Sequence, residues 1–177
     1  MLLTYGHGTE SAERTAAILR AAGVSSLIDI RIAPGSKRNP QFARDAMAEW
    51  LPEAGIGYRW ERRLGGFRKP GPDNPDVAWR EPMFRGYAEH MRSAGFLEAI
   101  DGVLAEAATP QVAVMCSETL WWRCHRRLVA DFVTAARGIE VRHLMHDGST
   151  EPHRPSPGLR LREEGLLVYD AGQAPLL

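Results

Sequence analysis

The sequence predicts a three-layer α/β/α domain built on a mostly parallel, Rossmann-like sheet. Three observations predict it. Short apolar runs of strand length alternate along the chain with segments of helical period. The first three segments, a strand, a helix and a second strand, form a β-α-β unit, which specifies a parallel pair with a right-handed crossover. A dense polar cluster, Cys116 to Arg127, follows at once on the apolar run Val112 to Met115. That is where a site would sit at the C-terminal end of a buried parallel strand.

Taken in order, Leu2 to Tyr5 is the first strand, and Gly6-His7-Gly8-Thr9 is a tight loop. Ser11 is a good N-cap; Thr15, Ile18, Leu19 and Ala22 fall at helical spacing, and Gly23 ends the helix. Ser26 to Ile32 reads as the second strand, apolar except for Asp29 and Arg31. The loop Ala33 to Pro40 is polar and basic. A helix is expected from Gln41 to about Glu53, and a short strand from Ile56 to Trp60. Leu64-Gly65-Gly66-Phe67 is a turn whose glycines permit close backbone approach. Residues 67–81 carry Pro70, Pro72 and Pro75 and read as an irregular insertion. Met83 to Met91 and Phe96 to Ala107 are helical, the second with Leu97, Ile100, Val103 and Leu104 on one face. After the strand at Val112, a helix is expected from Trp122 to Ala136, stopped by Gly138, and a strand from Ile139 to Met145. Residues 149–158 carry three prolines and read as an exposed, mobile loop; Leu166 to Tyr169 is a last strand or docking segment.

The chain of 177 residues is expected to be a single domain, 1–177, with the 67–81 insertion and the Pro-rich loop as its irregular parts. A hydrophobic fraction of 44% and a charged fraction of 25% exclude a disordered chain. Lys+Arg and Asp+Glu are both 22, so the protein is not a globally basic nucleic-acid binder. Lys37 and Lys69 are the only lysines, and an arginine-dominated basic set suits carboxylate or phosphate recognition. No apolar run reaches the length of a membrane span, so no membrane association is expected. The apolar start, Met1 to Tyr5, has no basic leader. A cytoplasmic location and reduced cysteines are therefore expected.

The strand ends supply the candidate site. Parallel order would bring several of four strand-end groups to one rim: Gly6-His7-Gly8, the Asp29–Arg31 pair with the Pro34-Gly35-Ser36 loop, Cys116-Ser117-Glu118, and His146-Asp147. His7 titrates near neutrality and suits acid–base work from a tight loop. Asp29 and Arg31 point to one face of a strand, either as a structural ion pair or as an oriented anion fork. Cys116 is a nucleophile or polar anchor, or else a small buried residue. The tyrosine-phosphatase loop fails, because six residues separate Cys116 from Arg123 and include Trp121 and Trp122. A zinc-finger reading fails on spacing, so no metal ligands are assigned. Cys124, His125 and Arg126 are expected on the first turns of a helix, where adjacent side chains diverge. Gly65 and Gly66, flanked by Arg62, Arg63 and Arg68, could wrap an anion. The tryptophans, with the arginines, keep nucleic acid open as a lesser partner.

On Thr4-x-Gly6-His7, Asp29-x-Arg31 with Pro34 and Ser36, Leu64-Gly65-Gly66, and Cys116-x-Glu118 with Cys124-His125-Arg126, the chain resembles the domain of unknown function 488 family. The resemblance runs from Gly6-His7 to the strand at Val141, and its last elements are the most specific; Trp121-Trp122 departs from the pattern. It implies an α/β domain with a common site and leaves the activity open.

The leading expectation is an enzyme, hydrolase-like or transferase-like, without a redox cofactor, acting on an anionic small molecule or nucleotide. Cys116, Glu118, His7 and Asp29 form its catalytic set. Arg31, Ser36, Gly65, Gly66, Cys124, His125 and Arg126 form its binding set, with Arg31 and Arg126 as the anion clamps. Two alternatives stay open: a non-catalytic module that binds a nucleotide, nucleic acid or metal, and a thiol switch between Cys116 and Cys124.

Overall fold

The computed structural model describes residues 1–35, 37–108 and 111–170. The elements in chain order are β1 (Leu2–Gly6), α1 (Ala12–Ala21), β2 (Ser26–Asp29), α2 (Arg44–Glu53), β3 (Gly57–Trp60), α3 (Pro82–His90) and α4 (Ala94–Glu106). There follow β4 (Val112–Cys116), α5 (Arg126–Arg137), β5 (Val141–Leu144), β6 (Thr150–Pro152), β7 (Leu159–Leu161) and β8 (Leu167–Tyr169). Six strands form one sheet in the order β3-β2-β4-β1-β5-β6. Every neighbouring pair is parallel except β5–β6. The chain is therefore a three-layer α/β/α domain with a mostly parallel sheet, as its strand–helix alternation requires.

Both faces of the sheet are covered. On one, Ile18 and Leu19 of α1 and Met47 and Leu51 of α2 pack with Phe42 on Leu3, Tyr5, Leu27 and Met115. On the other, Tyr87, Phe96, Ile100, Leu128 and Phe132, from α3, α4 and α5, pack on Leu2, Ile28, Val112 and Val114. Burial on both sides explains why the central strands read as continuous apolar runs instead of alternating. Local signals set the helix ends. Ser11 Oγ accepts from Arg14 N at 3.0 Å, and Gly138 closes α5 with φ 65°.

Four differences from the sequence expectation bear on the site or the sheet edge. β2 ends at Asp29, not Ile32, because Asp29 Oδ1 accepts from Arg31 N at 3.0 Å and turns the chain. The helix expected from Gln41 begins as a 3₁₀ turn at Pro40–Phe42, and α2 starts only after extended Ala43. The helix expected from Trp122 starts at Arg126, after a 3₁₀ turn at Trp121–Arg123 and an extended Cys124 with φ −120° and ψ 152°. Trp121 holds that turn in place: it stacks on His143 at 4.0 Å, and its Nε1 donates to Glu151 at 3.2 Å. Within the expected Pro-rich loop, Thr150–Pro152 adds β6 as an antiparallel edge strand, where Pro152 is tolerated.

Residues 67–81 carry no helix or strand. Fully buried Asp76 holds them down, accepting from Arg92 at 2.8 and 3.1 Å and from Tyr169 N at 3.1 Å. No helix among the described residues is long and apolar enough to cross a membrane.

Candidate functional site

β1 and β4 lie side by side, but the chain leaves them in opposite directions. From β1 it runs through α1 to β2, on the far side of β4; from β4 it runs through α5 to β5, on the far side of β1. Such a switch point leaves a crevice above the C-terminal strand ends. The two loops are stitched together there, His7 N donating to Cys116 O at 3.0 Å and Gly8 N to Ser117 O at 2.9 Å. The crevice is a cavity of about 570 Å³. Of the residues selected from sequence, His7, Arg31, Gly66, Cys116, Glu118, Cys124 and His125 line it.

One wall is the Asp29–Arg31–His7 group. Asp29 is fully buried and takes Arg31 Nε at 2.8 Å, Arg31 Nη2 at 2.5 Å and the Tyr58 hydroxyl at 2.9 Å. The ion-pair reading of Asp29 is thus the geometric one, and Asp29 itself does not line the cavity. Arg31 is left with Nη1, which meets His7 Nε2 at 3.3 Å. His7 Nδ1 donates to the Gly8 carbonyl at 2.8 Å, so Nε2 is the acceptor in that contact. Burial and then the Arg31 charge push the His7 pKa down to about 4. His7 is therefore a neutral, oriented imidazole at neutral pH, stacked on Phe42 at 3.9 Å.

The facing wall is a cluster of two sulfurs and an imidazole. Extended backbone at Cys124 and a single αR residue at His125, ahead of α5, let both side chains turn into the cavity. The helical divergence expected from sequence does not apply, because neither residue is yet on the helix. His125 Nε2 donates to the Ile30 carbonyl at 3.0 Å. Its Nδ1 lone pair therefore faces Cys124 Sγ at 3.6 Å and Cys116 Sγ at 3.9 Å. Both thiols are buried and unpaired by any disulfide. Contact with Cys124 and burial raise the Cys116 pKa. At Cys124 burial opposes ionisation, but the contacts with Cys116 and His125 and the Arg126 charge outweigh it and lower the pKa.

Other selected residues are placed elsewhere. Arg126 is 1% exposed and does not line the cavity. Its guanidinium donates to the carbonyls of Glu118 and Thr119 and, at 3.4 Å, to Thr4 Oγ1. It is a strut under the Glu118 loop, not the anion clamp expected from sequence. Gly6 makes room for it: a Cβ there would meet Glu118 O at 2.0 Å and Arg126 Nη2 at 2.5 Å. Gly65 lies outside the cavity lining and packs against Ile32. Glu118 lines the cavity, with Oε1 accepting from Leu120 N at 3.1 Å. Ser36 lies outside the described residues. Arg123 was not selected, yet it is exposed at the cavity edge, its guanidinium without a hydrogen bond or ion pair among the described residues. Its position just before Cys124 was the one available signal.

A family model described as "Domain of unknown function DUF488" matches residues 11–133, more than half of the chain. The match begins after Gly6-His7 and takes in Asp29–Arg31 and the Cys116–Arg126 stretch. No curated protein and no solved structure matches.

Proposed function

The chain belongs to the DUF488 family, and from that premise we propose that it is a hydrolase-like or transferase-like enzyme acting on an anionic, nucleotide-like substrate in the cavity above β1 and β4. One observation carries the reading. Residues as far apart in sequence as His7, Arg31, Cys116 and His125 line a single cavity at the topological switch point. Cys116, with Cys124 and His125, is the reactive centre. Arg123, without a hydrogen bond or ion pair among the described residues, is the cation that meets the substrate anion, and Arg31, its charge paired with Asp29, adds a fixed donor edge to the wall. His7, a neutral group that accepts from Arg31 Nη1, positions that guanidinium at the cavity wall, and Glu118 is the cavity's carboxylate for proton transfer.

The test is turnover of a panel of phosphate monoesters, nucleotides and acyl esters. Cys116→Ser should lower kcat on any accepted substrate by about 100-fold or more. Arg123→Ala should mainly raise KM. A substrate turned over equally fast by Cys116→Ser would remove the cysteine centre. A ligand that binds and is returned unchanged would support a sensing module instead. The closeness of the two sulfurs also favours a thiol switch; mass spectrometry after mild oxidation would then show an internal Cys116–Cys124 disulfide.

A further inference from the structure

We propose that Cys116, Cys124 and His125 form a three-ligand site for a soft divalent cation of the zinc class, with its fourth position open to the cavity. The inference deepens the reading above: the cation would bind whether or not that reading holds, but its catalytic meaning rests on it.

The geometry has four parts. First, the two Sγ atoms and one His125 ring nitrogen lie within 4.8 Å of one another. Tetrahedral zinc with bonds of ~2.3 Å to sulfur and ~2.0 Å to nitrogen needs S···N edges of ~3.6 Å and an S···S edge of ~3.8 Å. The observed S···N separations are 3.6 and 3.9 Å, so small side-chain rotations close the site. Second, the imidazole is already in the ligating tautomer. His125 Nε2 donates to the Ile30 carbonyl at 3.0 Å, which leaves the Nδ1 lone pair aimed at the sulfurs. A backbone carbonyl on the remote ring nitrogen is the usual outer-shell support of a metal-bound histidine. Third, two thiolates and an imidazole match soft or borderline cations, not magnesium or calcium. Fourth, all three residues line the cavity, so a fourth ligand would come from solvent or substrate. Three protein ligands with an open position is the catalytic and not the structural zinc pattern.

Binding balances simply. The two thiols release two protons to solvent, and the two thiolates cancel the cation's charge, leaving a neutral centre. A water in the fourth position would be acidified toward neutrality and would serve as the nucleophile of a hydrolase. Cys116 would then be a ligand and not itself the attacking atom.

The experiment uses the full chain, stripped with a chelator under reducing conditions and titrated with Zn(II) alone, then with Co(II) alone. One Zn(II) per chain is expected. Co(II) should give intense visible bands of a four-coordinate site together with thiolate charge transfer. Cys116→Ser, Cys124→Ser and His125→Ala should each weaken binding beyond the ~10–100-fold that outer-shell changes cause. Circular dichroism of each variant separates lost ligation from lost folding. On the wild type, Zn(II) should also slow alkylation of both thiols by iodoacetamide, a readout that needs no variant. Unchanged alkylation, or folded variants that bind Zn(II) as tightly as the wild type, would overturn the proposal. Turnover by the metal-free protein at the full rate would overturn the open catalytic position while leaving the enzyme reading intact. Stoichiometric zinc with no turnover across the panel would support the metal site while counting against the enzyme reading.

Discussion

Two glycines and two histidines show how tightly single residues are specified. A Cβ on Gly66 would stand 2.9 Å from His125 Nδ1, the nitrogen that faces the sulfurs. Gly66→Ala is therefore expected to turn the imidazole away and weaken Zn(II) binding about tenfold or more, with a melting temperature close to the wild type's. Gly6→Ala is the contrast. Its Cβ would collide with backbone and with the buried Arg126 guanidinium. It should cost about 1–3 kcal/mol, measurable by urea unfolding. His7 and His143 carry the pH dependence. Burial, followed by neighbouring positive charge, lowers them to about 4 and about 3. In the unfolded chain each titrates near 6.5. Between these values the unfolded state binds the proton and the folded state does not. Stability is therefore fully present above the unfolded pKa and is lost as pH falls toward the folded one. By pH 5 the loss should be about 2 kcal/mol per histidine. Urea unfolding at pH 7 and pH 5 should show it, and His7→Asn should remove about half.

Among the elements, α5 ties the site to the C-terminal strands. Arg126 Nη1 donates to Thr4 Oγ1 at 3.4 Å, and the Thr4 hydroxyl donates to His143 Nδ1 at 2.7 Å. His143 Nε2 donates to His153 Nδ1 at 3.1 Å, and His153 Nε2 to Asp131 Oδ1 at 2.8 Å. One set of neutral tautomers satisfies every link, running from a buried cation to a buried anion. Asp131, fully buried, also accepts from Ser156 N at 2.9 Å and the Tyr169 hydroxyl at 2.8 Å. It thus holds the segment after β6 and strand β8 against α5. Asp131→Ala strands three buried donors and should cost about 3 kcal/mol or more. Hydrogen exchange should quicken over β6 to β8 before it does over β1 and β4. None of these partners was legible in the sequence: His143, His153 and Asp131 gave no motif, because the spacings that join them arise only when β5 crosses beside β1.

For the whole molecule, the decisive feature is the reversal of direction between β1 and β4. It opens the cavity and leaves Arg123 at its edge without a partner among the described residues. An anionic ligand binding there should raise the melting temperature by mass action, and less so at high salt. In Arg123→Ala the shift should fall by more than half, whereas Lys69→Ala, outside the cavity lining, should leave it unchanged; differential scanning fluorimetry checks both. The rim of His7, Arg31, Cys116 and Glu118 was readable from the strand ends, since parallel order alone aligns them. Arg126 was misread as a clamp because nothing in a linear pattern distinguishes a guanidinium turned inward under a loop from one turned toward a ligand.

By itself the sequence determined the layer architecture, the alternation of strands and helices, and the rim on which reactive residues gather. These follow from hydrophobic period, caps and the geometry of parallel crossovers, all local or nearly so. Only the tertiary structure decided that Cys116, Cys124 and His125 form one cluster. The cluster depends on α5 starting at Arg126 and not at Trp122, and that start is set by Trp121 stacking on His143, 22 residues downstream in the chain. A contact across the sheet outweighed the helical tendency of the intervening residues, and with it moved two side chains off a helix and into the cavity.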